Sequence, residues 1–74
     1  MPRHLHELKK DQSGRVIKIN SASPLYNRFI DLGILKDTTI TKIGTSPLGD
    51  PSAYLIRGAI IAIRDTDCRD ILIN

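Results

Sequence analysis

Apolar and β-branched residues cluster in short segments along the chain, and polar or glycine-containing stretches separate these segments. Such segments predict β-strands, because β-branched side chains pack well on a pleated sheet. The predicted strands are residues 15–19, 38–43, 52–57, 59–64 and 71–73. Arg57-Gly58 joins the third and fourth strands, and Gly58 can adopt the positive φ that a tight hairpin requires. The pattern therefore predicts about five strands.

One segment, residues 23–33, predicts a helix. Ser23 suits the N-cap, and Pro24 suits the first helical position because its missing N–H costs nothing there. Gly33 suits the position just after the helix, where a left-handed backbone is favourable. The apolar positions repeat at i, i+4 and i+7 and form one stripe: Leu25, Phe29 and Leu32.

About five short strands with one helix inserted after the first predict a mainly β fold, a small SH3-like barrel. Closure is favoured because an open sheet of this length would leave isoleucine-rich edges unpaired, which promotes aggregation. Residues 1–74 are expected to form a single domain. The short last strand could leave one edge available for weak self-association.

The segment SPLGDPS, residues 46–52, is stiffened by two prolines. Its first four residues match the preferences of a type I turn, and Pro51 restricts Asp50 to an extended backbone. Leu48 at the tip has no local role in such a turn. Either it folds back over one end of the barrel, or it offers a pre-ordered apolar contact to a partner.

The charges are mixed along the chain, with 11 Lys and Arg against 8 Asp and Glu, a formal net charge of +3. Basic residues alternate with aspartates, and only three aromatic side chains are present, so a nucleic-acid surface is not expected. The chain has no apolar run long enough to span a membrane, and its polar N-terminus does not resemble a signal peptide. A cytoplasmic location is therefore expected.

Few residues are arranged for chemistry. His4 and His6 have a spacing that could bind a metal ion in an extended segment, but a solvated, frayed terminus is the favoured interpretation. Cys68, the only cysteine, is expected to be a small buried residue under the last strand. The sequence contains no glycine-rich phosphate loop and only one glutamate, so neither an enzyme nor a bound cofactor is expected.

The order of several short motifs resembles the FeoA family, the small ferrous iron transport A proteins of bacteria. The motifs are DLG, TTITKI, SPLGDP, the hairpin from RG to IAIR, and CRDILI. The resemblance covers nearly the whole chain, and the same fold is similar to the C-terminal domain of the DtxR-type metal-dependent repressors. The family often has Pro-Gly where this chain has Lys10-Asp11 and Lys36-Asp37, so Asp37 must take the demanding turn position.

The resemblance implies a cytosolic accessory protein that docks on the FeoB ferrous iron permease and its GTPase region. We expect an aliphatic groove between the helix and the proline loop, with Phe29, Leu48 and Ile34 as its walls. Arg28 and Arg57 are candidates for an arginine supplied to the GTPase. The predicted partner-binding residues are Arg28, Phe29, Ile34, Pro47, Leu48, Asp50 and Arg57. The alternatives are a nucleic-acid-binding barrel and a metal-dependent regulatory domain.

Overall fold

The computed structural model describes residues 2–74 and arranges antiparallel strands and short helices around one core. The strands are β1 (Arg3–His4), β2 (Ser13–Ile19), β3 (Thr39–Thr45), β4 (Ser52–Ile56), β5 (Ala59–Ile63) and β6 (Ile71–Ile73). The helices are α1 (Tyr26–Asp31) and α2 (Asp65–Cys68), and a 3₁₀ turn covers Leu5–Glu7. The prediction of a mainly β fold with one helix after the first long strand is confirmed. The polar segment before the last strand, where the sequence predicted no helix, forms α2.

β2 is the strand around which the sheet bends. The strand order is β1-β6-β2-β3-β4-β5. The first part of β2, residues 13–15, pairs with β3, and the part from Val16 to Ile19 pairs with β6. Gly14 lies at this bend, where a Cβ would be 2.6 Å from Cδ1 of Ile73. The absence of a side chain at Gly14 therefore lets β6 approach β2 closely.

The edges of the sheet are β1 and β5, which do not pair with each other, so the expectation that the strands close completely is wrong. β6 is paired on both sides, with β1 and with β2. The expectation that the last strand leaves an edge for self-association is therefore wrong. The reason is the two-residue strand β1, which is too short to produce a pattern in the sequence.

The N-terminal segment is held in place, so the expectation of a frayed terminus is wrong. Leu5 and Leu8 are both buried in the core, which anchors the 3₁₀ turn. The backbone N–H of His4 donates to the Glu7 carboxylate at 2.6 Å. Burial of two leucines outweighs the polarity of the residues around them.

One hydrophobic core fills the space inside the bent sheet. α1 contributes Phe29, and its neighbours Leu25 and Leu32 pack against the same core, as the predicted stripe required. The fully buried side chains with the largest volumes are Tyr54, Phe29, Leu5, Leu8, Ile34, Ile40, Ile56, Ile71 and Ile73. None of the helices formed by residues 2–74 is long and apolar enough to cross a membrane.

α1 begins at Tyr26 rather than at Pro24 as predicted. The hydroxyl of Ser23 accepts the N–H of Leu25 at 3.1 Å, and the carbonyl of Ser23 accepts the N–H of Tyr26 at 3.1 Å. Short polar side chains that bond nearby backbone favour turns over helices. Ser23 therefore forms a turn before the helix instead of its N-cap.

The C-terminus of α1 agrees with the prediction for Gly33. The N–H of Ile34 donates to the Phe29 carbonyl at 2.9 Å, and the N–H of Gly33 donates to the Ile30 carbonyl at 3.0 Å. These two bonds define a Schellman motif, with Gly33 at φ +89°. A Cβ on Gly33 would lie 2.6 Å from Cδ of Arg57, so the hairpin of β4 and β5 covers this glycine.

Replacing Gly33 with alanine is expected to lower the free energy of unfolding by about 1–2 kcal/mol, measured by urea denaturation. The positive φ strains any L side chain, and the Arg57 stem must also move. Gly44→Ala is the matched control, because a Cβ added to Gly44 would meet no atom within 4 Å and the φ of Gly44 is not positive. Equal effects of the two substitutions would contradict this explanation.

Aspartate occupies both turn positions where the family often has Pro-Gly. Asp11 has φ +67° and Asp37 has φ +71°. The expectation that Asp37 takes the demanding position is confirmed. In the hairpin between β4 and β5, Arg57 and Gly58 both have positive φ, 49° and 83°, as a type I′ turn requires.

Candidate partner-binding surface

The proline loop between β3 and β4 is closed by several hydrogen bonds. The N–H of Gly49 donates to the Ser46 carbonyl at 2.7 Å, which is the closing bond of the predicted turn. The N–H of Ser46 donates to the Pro51 carbonyl at 3.0 Å. At the base of the loop, the hydroxyls of Thr45 and Ser52 lie 3.1 Å apart. The Asp50–Pro51 peptide bond is cis.

Asp50 connects the loop to α2. One carboxylate oxygen of Asp50 accepts the backbone N–H of Asp65, the first residue of α2, at 3.0 Å. An acceptor at this point satisfies a donor that a helix start leaves unpaired. Asp50, predicted to contact a partner, thus has a role within the fold that accounts for its position.

Leu48 lies at the tip of the loop with 93% of its surface exposed. Pro47 and Gly49 beside it are also exposed. The alternative in which Leu48 folds back over the end of the barrel is therefore wrong. Because the backbone around Leu48 is already fixed, contact with a partner would order few additional bonds.

A shallow hollow of about 360 Å³ lies beside the base of the loop. Ser46 and Pro51 border the hollow on the loop side, and residues of β3, β4 and β5 form its floor. The lining residues from the strands are Ile43, Gly44, Thr45, Ser52, Ala53 and Ala62. Most of this lining is apolar, so a second weakly hydrated surface adjoins the loop.

Phe29 and Ile34 do not form walls of an open groove with Leu48. Phe29 is 2% exposed and Ile34 is 0% exposed. Both side chains belong to the hydrophobic core, together with Ile40 and Ile56 of the sheet. Their apolar character in the sequence reflects the core. Their assignment as surface contacts is therefore corrected.

A groove does exist beside α1, but its walls differ from the predicted ones. The groove has a volume of about 260 Å³ and separates α1 from β5 and Pro51. Arg28 lies along its rim, and Phe29 contributes only to its floor. Leu48 and Ile34 do not line it. The predicted groove between helix and loop therefore involves the base of the loop and not its tip.

Arg57 is exposed at the hairpin tip, as predicted, but its stem is not free. The stem crosses Gly33, and the residue lines a hollow with the connection between α1 and β3. Arg28 and Arg57 line different hollows, so no single hollow brings them together.

Cys68 and Tyr54 form a buried pair under the sheet. The Cys68 thiol lies 3.5 Å from the Tyr54 hydroxyl, and both residues are 0% exposed. Burial raises the pKa of Cys68 to about 11, and burial together with the thiol contact raises the pKa of Tyr54 further above its usual value. A thiol held neutral is a poor nucleophile. The expectation that Cys68 is a small buried residue is confirmed.

His4 and His6 lie close to each other, with ring centroids 6.0 Å apart and nearly parallel planes. Nδ1 of His6 is buried without a hydrogen-bond partner. Within residues 2–74, no group of three or more His, Cys, Asp and Glu side chains is placed to hold a metal ion. Two histidines alone make an incomplete ligand set for a structural zinc ion.

Sequence reasoning missed the outer face of the last hairpin. Leu55 and Ile60 are directly opposite each other on β4 and β5, and both are exposed, Ile60 at 66%. The apolar run of these two strands fits strands whose inner face fills a barrel, and the sequence singled out none of its apolar residues as exposed. Leu55 lies between the buried Tyr54 and Ile56, so this pair belongs to the face of the sheet that points away from the core.

Comparison with known sequences and structures gives consistent results. The sequence model of the FeoA domain matches residues 3–74. The solved structure of a FeoA-like protein from Clostridium acetobutylicum has a TM-score of 0.91 and 32% identity, with 99% of this chain and 85% of that chain covered. No curated protein sequence is similar enough to this chain to count as a match.

Two further solved structures show the same fold at lower identity. FeoA from Stenotrophomonas maltophilia in complex with zinc, described as a prokaryotic SH3 domain protein, has a TM-score of 0.86 and 18% identity, covering 97% of this chain and 89% of that chain. A manganese-dependent transcriptional repressor complexed with manganese has a TM-score of 0.87 and 20% identity, covering 99% of this chain but 36% of the repressor. The prediction of an SH3-like fold is therefore confirmed.

Proposed function

The chain belongs to the FeoA family, which is related to ferrous iron transport, and from this premise we propose that it docks as an accessory protein on a FeoB-type permease. The docking would take place at the cytosolic GTPase region of the permease, which places the protein in the cytoplasm. The single observation that carries the proposal is the exposure of Leu48 on a loop closed by internal hydrogen bonds.

The energetics of such a contact are favourable. Full burial of a leucine side chain contributes about 1.5–3 kcal/mol, which corresponds to about tenfold to a hundredfold in affinity. An exposed leucine on a mobile loop would lose part of this gain through ordering of the backbone. The bonds between Ser46, Gly49 and Pro51 reduce that loss before a partner arrives.

The family is an accessory family of iron transport and not a known class of enzyme. The buried Cys68 thiol, with its raised pKa, is unsuited to nucleophilic chemistry. We therefore propose a role in protein contacts rather than in catalysis. The likeness to the repressor concerns the fold alone and does not favour a second function.

Leu48→Asp is expected to weaken capture of the purified permease by at least tenfold, because a carboxylate would replace the apolar side chain in a dry contact. Capture is measured by surface plasmon resonance with detergent-solubilised FeoB. Because Leu48 is almost fully exposed, the thermal midpoint should change little.

Ala22→Asp is the matched control, since Ala22 is an exposed apolar residue on the connection between β2 and α1. It adds the same charge away from the loop. Full capture by Leu48→Asp would refute the loop as the docking contact, and equal loss by both variants would indicate a general effect of charge.

A further inference from the structure

β5 has a free edge. β5 pairs with β4 alone, and no other strand or backbone hydrogen bond within residues 2–74 engages its other side. In the two-residue hairpin, Ile56 and Ala59 flank the turn and form a hydrogen-bonded pair. Bonded and non-bonded pairs alternate along an antiparallel ladder, so Ile60 and Ala62 direct their N–H and C=O groups away from β4. The free edge therefore presents two unpaired donors and two unpaired acceptors.

The second half of the free edge, residues 61–63, forms one wall of the groove beside α1. Ile61 and Ile63 of β5 line this groove together with Leu25 and Leu32, the residues that flank α1. Its volume of about 260 Å³ is sufficient for one or two apolar side chains. Because the groove separates α1 from the free edge of β5, an extended chain has room to lie along β5. Alternate side chains of that chain would then enter the groove.

The polar groups of the groove are mainly cationic. Arg28 on α1 and Arg64 at the end of β5 line it, and both are exposed. Asp67 is the one carboxylate that lines it, and this side chain is mostly buried and lies 3.6 Å from Arg64. The unneutralised charge along the groove is therefore positive.

We propose that the β5 edge binds an extended segment of a partner protein, with an apolar side chain in the groove and a carboxylate on either side of it. The backbone of the segment would add a strand to the sheet by bonding Ile60 and Ala62. Side chains two residues apart lie on the same face of a strand, about 7 Å from each other. A pattern of acidic, variable, apolar, variable, acidic residues therefore presents carboxylates toward Arg28 and Arg64. This site is separate from Leu48 and does not depend on the proposed function.

A second copy of this chain fits the edge less well. Its own β5 carries alanine and isoleucine without carboxylates between Ala59 and Ile63, so it would leave Arg28 unpaired. A second copy would also bring a second α1 against the same groove. An acidic strand would bond the free backbone groups of β5, place an apolar side chain in the groove and pair its carboxylates with the arginines.

The probe is a fluorescein-labelled peptide of sequence TDTLTDT, titrated with the full chain at low salt and measured by fluorescence anisotropy. Saturable binding is expected, with slowed hydrogen exchange at the amides of Ile60 and Ala62 in NMR spectra. The first control peptide is TKTLTKT, which reverses the charges. The second is TDTLTDT methylated at the backbone nitrogens that would face β5, which removes the N–H donors of the added strand. Each control is expected to bind at least tenfold more weakly.

Three variants test the protein side. Ala62→Pro removes an edge-facing N–H without removing a bond to β4, a placement that edge strands tolerate. Arg28→Glu and Arg64→Glu reverse the two charges of the groove. Each variant is expected to weaken binding of TDTLTDT about tenfold or more, while Lys10→Glu, remote from the groove, leaves it unchanged.

Several outcomes would overturn the proposal. Among them are the absence of saturable binding, equal binding of the lysine peptide, and equal binding of the N-methylated peptide. Should Ala62→Pro fail to fold, the N-methylated peptide makes the same test from the ligand side. Dimerisation of the chain alone, measured by sedimentation and abolished by Ala62→Pro, would assign the edge to a second copy instead.

Discussion

Replacing Phe29 with alanine is expected to lower the free energy of unfolding by about 3–5 kcal/mol, measured by urea denaturation. The ring is 2% exposed and is the one core side chain that α1 buries completely. A domain of this size has a total stability of about 4–11 kcal/mol, so the loss is a large fraction of it. The variant is expected to be partly unfolded at 37 °C.

Phe29→Leu is the matched control, because it keeps most of the apolar volume and is expected to cost less than half as much. If Phe29 were a surface contact for a partner, the alanine variant would fold normally and lose only binding. A change in unfolding free energy below about 1 kcal/mol would therefore contradict the burial of this ring and restore the interpretation from sequence.

The stability of the protein is expected to fall steeply as the pH rises from about 9 to 11. An unfolded cysteine ionises near pH 8.5, whereas burial raises the pKa of folded Cys68 to about 11. The folded state therefore retains a proton that the unfolded state has lost, and the free energy of unfolding decreases with pH. The contribution is fully present below pH 8.5. Its loss amounts to about 1.4 kcal/mol per pH unit, or about 3–4 kcal/mol between pH 8.5 and 11.

Tyr54 adds to this loss at the upper end of the range. Its pKa is raised chiefly by burial, so an unfolded tyrosine releases its proton near pH 10 while the folded one keeps it. Cys68→Ala should remove the part of the decrease that begins near pH 8.5 and leave the later part. Urea midpoints between pH 7 and 11 measure both. Parallel curves for the two proteins would contradict the assignment to the thiol.

Most of the secondary structure could be predicted because local chemistry decides it. The strands around Val16, Ile40 and Ile56 have the expected β-branched composition. Gly33 and Gly58 end a helix and close a hairpin because their backbone must be left-handed at those points. β1 was missed because two residues carry no periodic pattern, and they become a strand only where β6 is available to pair with them.

The candidate site could be predicted only in part. Leu48 was identified correctly as a side chain without a local role, because turn preferences explain its neighbours and not the leucine itself. Phe29 and Ile34 were placed on a surface because an apolar side chain on or beside a short helix looks the same in the sequence whether it meets a core or a partner. Asp50 was predicted to contact a partner, whereas its carboxylate accepts the N–H of Asp65 within the fold. The two residues are 15 positions apart, so no local pattern in the sequence connects them.

The sequence by itself determined the local elements, the stiff loop and the family, because backbone preferences and motif order are properties of neighbouring residues. Only the tertiary structure decided which apolar residues lie inside and which strand remains at an edge. Burial and strand pairing depend on residues that are distant in the chain, and no local pattern records them. For that reason Leu48 was visible in the sequence, whereas the free edge of β5 appeared only once the sheet was assembled.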